Sequence, residues 1–135
     1  MNPEGLRILI ADDHPLFREA LIHAIRNCVD DAGIVEADSL DTLQSDVEAH
    51  PEPDLLFLDI SMPFASGAEI LHDVRRWSPH TRILVFTGIT SAGILAGVVE
   101  AGVDGLFSKS QPTSAMVAKL PLLLRGGRYV APEFT

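Results

Sequence analysis

The sequence predicts an α/β fold, a five-stranded parallel sheet with helices on both faces. Two observations carry this. Five short apolar runs recur along 135 residues, each followed by a segment with helical spacing. The central run, Leu55 to Leu58 with Ile60 beyond, is apolar without alternation, as a strand buried on both faces is. Right-handed crossovers leave few topologies. The common five-stranded solution is the flavodoxin-like order 2-1-3-4-5, which the pattern alone does not derive.

The elements follow in order. Leu6 to Ala11 is a first strand ending in Asp12-Asp13. Pro15 then suits the first turn of a helix, and Phe17, Leu21, Ala24, Ile25 and Cys28 keep helical spacing. Asp30, Asp31 and Gly33 break it. Ile34 to Ala37 is a short second strand. Ser39 or Asp38 caps a second helix through about Ala49, with Leu40, Leu43 and Val47 inward. His50-Pro51-Glu52-Pro53 stops it, and the central strand follows. Met62 to Gly67 reads as a loop and Gly67 to Trp77 as a third helix, ended by Ser78-Pro79-His80. Arg82 to Thr87 is a fourth strand. Ser91 to Ala101 is a weak fourth helix, because Gly93 and Gly97 each cost roughly 1 kcal/mol against alanine. Asp104 to Ser108 is a fifth strand followed by Lys109. Pro112 opens a last helix that runs to Gly126-Gly127, with Pro121 expected to kink it.

Composition bounds the function. The length fits one domain, and can bury about two-thirds of the unfolded chain's surface. Cys28 is the single cysteine, so an intrachain disulfide is excluded and a cytoplasmic location is expected. No apolar run approaches a membrane span, so no membrane partner is expected. A net charge of −9 argues against this domain gripping nucleic acid with its own surface.

The chemistry gathers at one edge. A carboxylate closing a buried strand is costly unless it is paired or bound to a cation, and Asp59 closes the central strand. In an open parallel sheet the carboxyl ends of the strands are where ligands sit. Asp12, Asp13, Asp59, Thr87 and Lys109 all fall at such ends. Each alone is an ordinary strand-end or surface residue. Together they are three carboxylates, a hydroxyl and an ammonium on four different strand ends. Clustered carboxylates repel, and a hard cation such as Mg²⁺ relieves them. The set suits phosphoryl transfer to a carboxylate nucleophile, Asp59, with Mg²⁺ and Lys109 neutralising developing charge.

These residues resemble the response-regulator receiver family over nearly the whole chain. Asp12-Asp13 looks like its acidic pair, Asp59 its phosphoacceptor, Thr87 its switch hydroxyl and Lys109 its lysine; Met62-Pro63 with Gly67 resembles its following loop. Residues 12–21 and 126–133 are similar to the opening and the exit segment of the NarL/FixJ (LuxR-type) subgroup. The resemblance implies that Asp12, Asp13, Asp59 and the backbone carbonyl of Ser61 hold Mg²⁺. It implies a sensor histidine kinase as donor, a Thr87-linked change in the face of the fourth helix, fifth strand and fifth helix, and output by homodimerisation or partner binding. Residues 1–128 are expected to be the receiver. Residues 129–135 are expected to start a linker to a C-terminal helix-turn-helix domain, through which alone DNA would be bound.

Three positions depart from the family pattern: Leu106 stands where an aromatic switch residue is usual, Ser110 where a proline is common, and Pro121 inside the last helix. Phe107, next to Leu106, should face the other side of the sheet. A stand-alone receiver acting by protein binding and a degenerate receiver are the alternatives. A phosphatase of the haloacid-dehalogenase type needs an aspartate where Ser61 stands. The last helix, with Leu120, Leu122, Leu123 and Leu124, carries more apolar surface than one core stripe needs. His14 reads as a loop histidine, and His23, His50, His72 and His80 show no metal spacing.

Overall fold

The computed structural model describes residues 5–62, 69–88 and 92–130. The loop expected over Met62 to Gly67 lies outside them beyond Met62. So do the expected helix starts at Gly67 and Ser91, and the end of the chain beyond Val130.

Strands and helices alternate as β1 (Leu6–Ala11), α1 (Pro15–Cys28), β2 (Ala32–Ala37), α2 (Leu40–Ala49), β3 (Leu55–Asp59), α3 (Glu69–Trp77), β4 (Arg82–Thr87), α4 (Ala92–Glu100) and β5 (Gly105–Ser108). Two short helices follow, α5 (Thr113–Val117) and α6 (Leu120–Leu124), and then β6 (Tyr129–Val130). The sheet is parallel throughout, in the order β2-β1-β3-β4-β5-β6.

The expected order 2-1-3-4-5 is present, but the expected five strands are six. Tyr129 pairs with Gly105 and Val130 with Leu106. Two residues are too few to show a period, so this strand has no sequence signature. It is held from outside itself. The Tyr129 N–H donates to the Asp104 carbonyl at 2.9 Å, and Arg82 donates to the Gly127 carbonyl. Gly127 is itself required: a Cβ there would lie 2.4 Å from Leu122 Cδ1 and 2.9 Å from the Leu122 carbonyl oxygen.

Pro121 divides the last helix rather than kinking it. It occupies the first turn of α6, where its missing N–H costs nothing, and Ala118 caps α5. β2 starts two residues before its expected start, because Gly33 sits in register with Arg7 instead of breaking the chain. Ser39 is the cap of α2. Its side chain accepts from the Thr42 N–H at 3.2 Å, and Thr42 Oγ1 accepts from the Ser39 N–H at 3.0 Å.

Strand alternation sorts the core into two layers. Leu9, Ala11, Leu56, Leu58, Ile83, Val85 and Leu106 pack with α2, α3 and α4. Ile8, Ile10, Leu55, Phe57, Leu84, Phe86 and Phe107 pack with α1, α5 and α6. Leu106 and Phe107 therefore face opposite sides, as expected. Phe107 stacks on Phe86 at 5.1 Å and lies 5.2 Å from Tyr129. In the last helices Leu120 and Leu123 are buried and Leu122 is exposed, so most of their apolar surface is core.

Candidate functional site

The parallel register carries the ends of β1, β3, β4 and β5 to one edge. Ala11 pairs with Leu58, which puts Asp12 level with Asp59; Asp59 pairs with Phe86, and Thr87 with Ser108. Of the expected residues, the structure brings Asp12, Asp13 and Asp59 together with Lys109. Lys109 Nζ lies 2.7 Å from Asp12 Oδ2 and 2.9 Å from Asp59 Oδ2. Asp12 and Asp59 are almost wholly buried, so this ammonium sits between two desolvated carboxylates. Its position is fixed from both ends. The Lys109 N–H donates to the Thr87 carbonyl at 2.9 Å, and Nζ lies 4.6 Å from the centre of the Phe17 ring.

Ser61 holds the other side of Asp59. Its N–H and its Oγ both donate to Asp59 Oδ1, at 2.8 and 2.5 Å. Thr87 closes β4 at the same edge and is fully buried, and Leu106 is fully buried one strand over, on the α4 side of the sheet. Arg18 braces the end of β1: Nη1 donates to the Asp12 carbonyl at 2.5 Å and Nε to Glu36 at 2.9 Å.

Sequence reasoning missed one residue of the site. His14, expected as a plain loop residue, caps α1 by its backbone and turns its ring into the cluster. Nδ1 lies 3.0 Å from Asp12 Oδ1, 3.2 Å from Asp13 Oδ1, 3.7 Å from Asp59 Oδ2 and 2.9 Å from Lys109 Nζ. Its signal was adjacency to the acidic pair; periodicity says nothing about a residue between elements.

The residues present fit a divalent cation. One potential ligand atom from each of Asp12, Asp13, His14 and Asp59 falls within 4.8 Å of the others. Asp13 Oδ1 is buried and accepts no hydrogen bond, as is expected of an oxygen placed for something other than a protein donor. Three carboxylates and one ammonium leave two negative charges, which a divalent cation would cancel. The apolar cavity of about 270 Å³ lined by Ile8, Val35 and Asp46 is remote from this chemistry.

Comparison with known proteins points the same way. The family description "Response regulator receiver domain" matches residues 8–121. The chain is 32% identical over 127 residues to the glycerol metabolism activator of Pseudomonas putida, covering 94% of this chain and 58% of that protein. It is 30% identical over 132 residues to the probable transcriptional regulatory protein NarL of Mycobacterium tuberculosis, covering 98% of this chain and 61% of that one. The chain thus spans about three-fifths of these relatives. Among solved structures, the receiver domain of M. tuberculosis NarL superposes with a TM-score of 0.73 at 30% identity, over 92% of this chain and 99% of that one. A LuxR-family response regulator from Aurantimonas sp. SI85-9A1 gives 0.78 at 28% identity, over 96% of this chain and 91% of that one.

Proposed function

The chain belongs to the response regulator receiver family, and from that premise we propose that Asp59 takes a phosphoryl group from a sensor histidine kinase. The observation that supports this is the convergence of Asp12, Asp13, Asp59 and Lys109 at one sheet edge, with Lys109 bridging two buried carboxylates. In the proposed reaction a carboxylate oxygen of Asp59 attacks phosphorus in line. The bond from phosphorus to the donor imidazole nitrogen breaks, its electron pair stays on the imidazole, and an acyl phosphate remains.

Each residue has a share. Ser61 orients the Asp59 carboxylate through two donated hydrogen bonds. Lys109 exchanges carboxylate partners for phosphoryl oxygens and offsets the charge that arrives. Asp12, Asp13, Asp59 and the Ser61 carbonyl would hold Mg²⁺, which supplies charge neutralisation between carboxylates and phosphoryl group. Thr87 offers its hydroxyl to a phosphoryl oxygen. That movement is passed to the α4, β5 and α5 face through Leu106, which packs in one cluster with Val98 and Val103.

We place the receiver at residues 1–128 and the start of a linker at 129–135, its first two residues extending the sheet. Output would be control of transcription through a C-terminal helix-turn-helix domain, with homodimerisation of the receiver as the coupling step. The relatives named as transcriptional regulators support this, each extending beyond the matched region. Borohydride reduction of the phosphorylated protein, followed by peptide mapping, tests the site: homoserine at position 59 is expected. Phosphorylation with residue 59 unmodified would overturn the assignment.

A further inference from the structure

His14 is the residue of the acidic edge to which phosphoryl transfer gives no task. Its ring is not spent on the helix it caps, since its side chain makes no capping hydrogen bond to α1. Although the side chain is more than half exposed, Nδ1 lies among three carboxylates. The backbone holds it there. The His14 N–H donates to Asp12 Oδ1 at 2.8 Å, the residue is extended at φ −104° and ψ 102°, and Pro15 follows in the first turn of α1.

Two of the three spacings match the edges of a coordination shell as well as they match hydrogen bonds, and the third, 3.7 Å to Asp59 Oδ2, is longer. Ligands about 2.1 Å from an octahedral cation are about 3.0 Å apart along each edge. His14 Nδ1 stands 3.0 Å from Asp12 Oδ1 and 3.2 Å from Asp13 Oδ1. Asp12 Oδ2 faces the Lys109 ammonium at 2.7 Å, while Asp13 Oδ1 is buried with no hydrogen bond and lies 3.2 Å from the His14 ring nitrogen. No other histidine among the described residues joins this group.

We propose that His14 Nδ1 is a ligand of the divalent cation, making a mixed carboxylate–imidazole site that prefers late first-row divalent ions to Mg²⁺. This rests on the reading of Asp12, Asp13 and Asp59 as the cation site. An all-oxygen shell suits Mg²⁺, a hard ion that keeps its waters. An imidazole nitrogen is a softer donor and favours ions toward the Zn²⁺ end of the row. As a ligand, His14 carries its proton on Nε2 and gives Nδ1 to the cation. Lys109 Nζ, now 2.9 Å from Nδ1, moves off as the cation arrives, one positive charge giving way to another.

The test is calorimetric titration of the wild-type chain, His14→Ala and Asp13→Asn with Mg²⁺ and with Co²⁺, beside imidazole ¹⁵N spectra recorded with Zn²⁺. The ring is more than half exposed, so its removal should leave the fold intact, and circular dichroism checks this. In the wild type, Co²⁺ should bind about tenfold or more tighter than Mg²⁺, and one imidazole nitrogen resonance should shift with Zn²⁺. In His14→Ala the Co²⁺ preference over Mg²⁺ should fall by about tenfold and the shifted resonance should be absent. An unchanged Co²⁺ preference in His14→Ala overturns the inference and leaves the carboxylate site standing. No Mg²⁺ or Co²⁺ binding by folded wild type, or full binding by Asp13→Asn, overturns the carboxylate reading and the inference with it.

Discussion

At the scale of single residues, the site is a balance of like and unlike charge. Among the described residues Lys109 is the lysine that bridges Asp12 and Asp59, and removing it strands two buried carboxylates. Lys109→Met should therefore destabilise the fold by about 3 kcal/mol in metal-free buffer. Added Mg²⁺ should recover part of that loss, because a ligand bound only by the folded state stabilises it. Urea unfolding with and without Mg²⁺ measures both; equal stability of wild type and variant in chelator would refute the ion-pair account. The placement of Asp12, Asp13, Asp59, Thr87 and Lys109 at one sheet edge was legible in the sequence, because each is a polar residue at or just past the end of an apolar strand. His14 was not, since nothing in a sequence tells which way a ring turns between two elements. Nor did it reveal the Ser61 hydroxyl on Asp59, a contact that depends on the turn after β3.

At the scale of elements, helix α4 carries the features of low local stability. Its sequence carries Gly93 and Gly97, and Ile94 and Val99 stand exposed while Leu95 and Val98 anchor it. Amide exchange over residues 92–100 should be faster than over β1, β3 and β4. Protection equal to that of those strands would contradict low local stability in this helix. The tail helices make the opposite case. Leu123 is fully buried in the α1-side core, whereas Leu122 is exposed. Leu123→Ala should cost about 3 kcal/mol and Leu122→Ala less than about 1, read from chemical unfolding. Similar losses at both would contradict the division of this surface into core and solvent. The split at Pro121 was half legible: proline announces a break, but only packing on either side decides between a bend and a new helix.

At the scale of the whole molecule, β6 ties the chain's exit to the sheet. Arg82 reaches the Gly127 carbonyl, Arg128 Nη2 donates to the Val103 carbonyl at 2.9 Å, and Tyr129 lies on Phe107. Tyr129→Ala removes the last ring of a row running from Phe17 through Phe86 and Phe107. It should cost about 2 kcal/mol, seen as a fall in Tm of several degrees. No change in Tm would mean that β6 contributes nothing to the fold. The alternation of strands and helices was within reach of the sequence, but the order of the first five strands rests on the common solution for such sheets, because apolar runs and crossover handedness narrow it without fixing it. The sixth strand was not within reach, because its partners lie far away in sequence and only the folded sheet supplies them.

The central claim is that Asp59 is the phosphoacceptor. Intact mass after incubation with Mg²⁺ and a small phosphodonor, wild type beside Asp59→Asn, tests it most directly. A gain of one phosphoryl group in the wild type alone is the predicted result. No gain in either folded protein, or an equal gain in both, would contradict it.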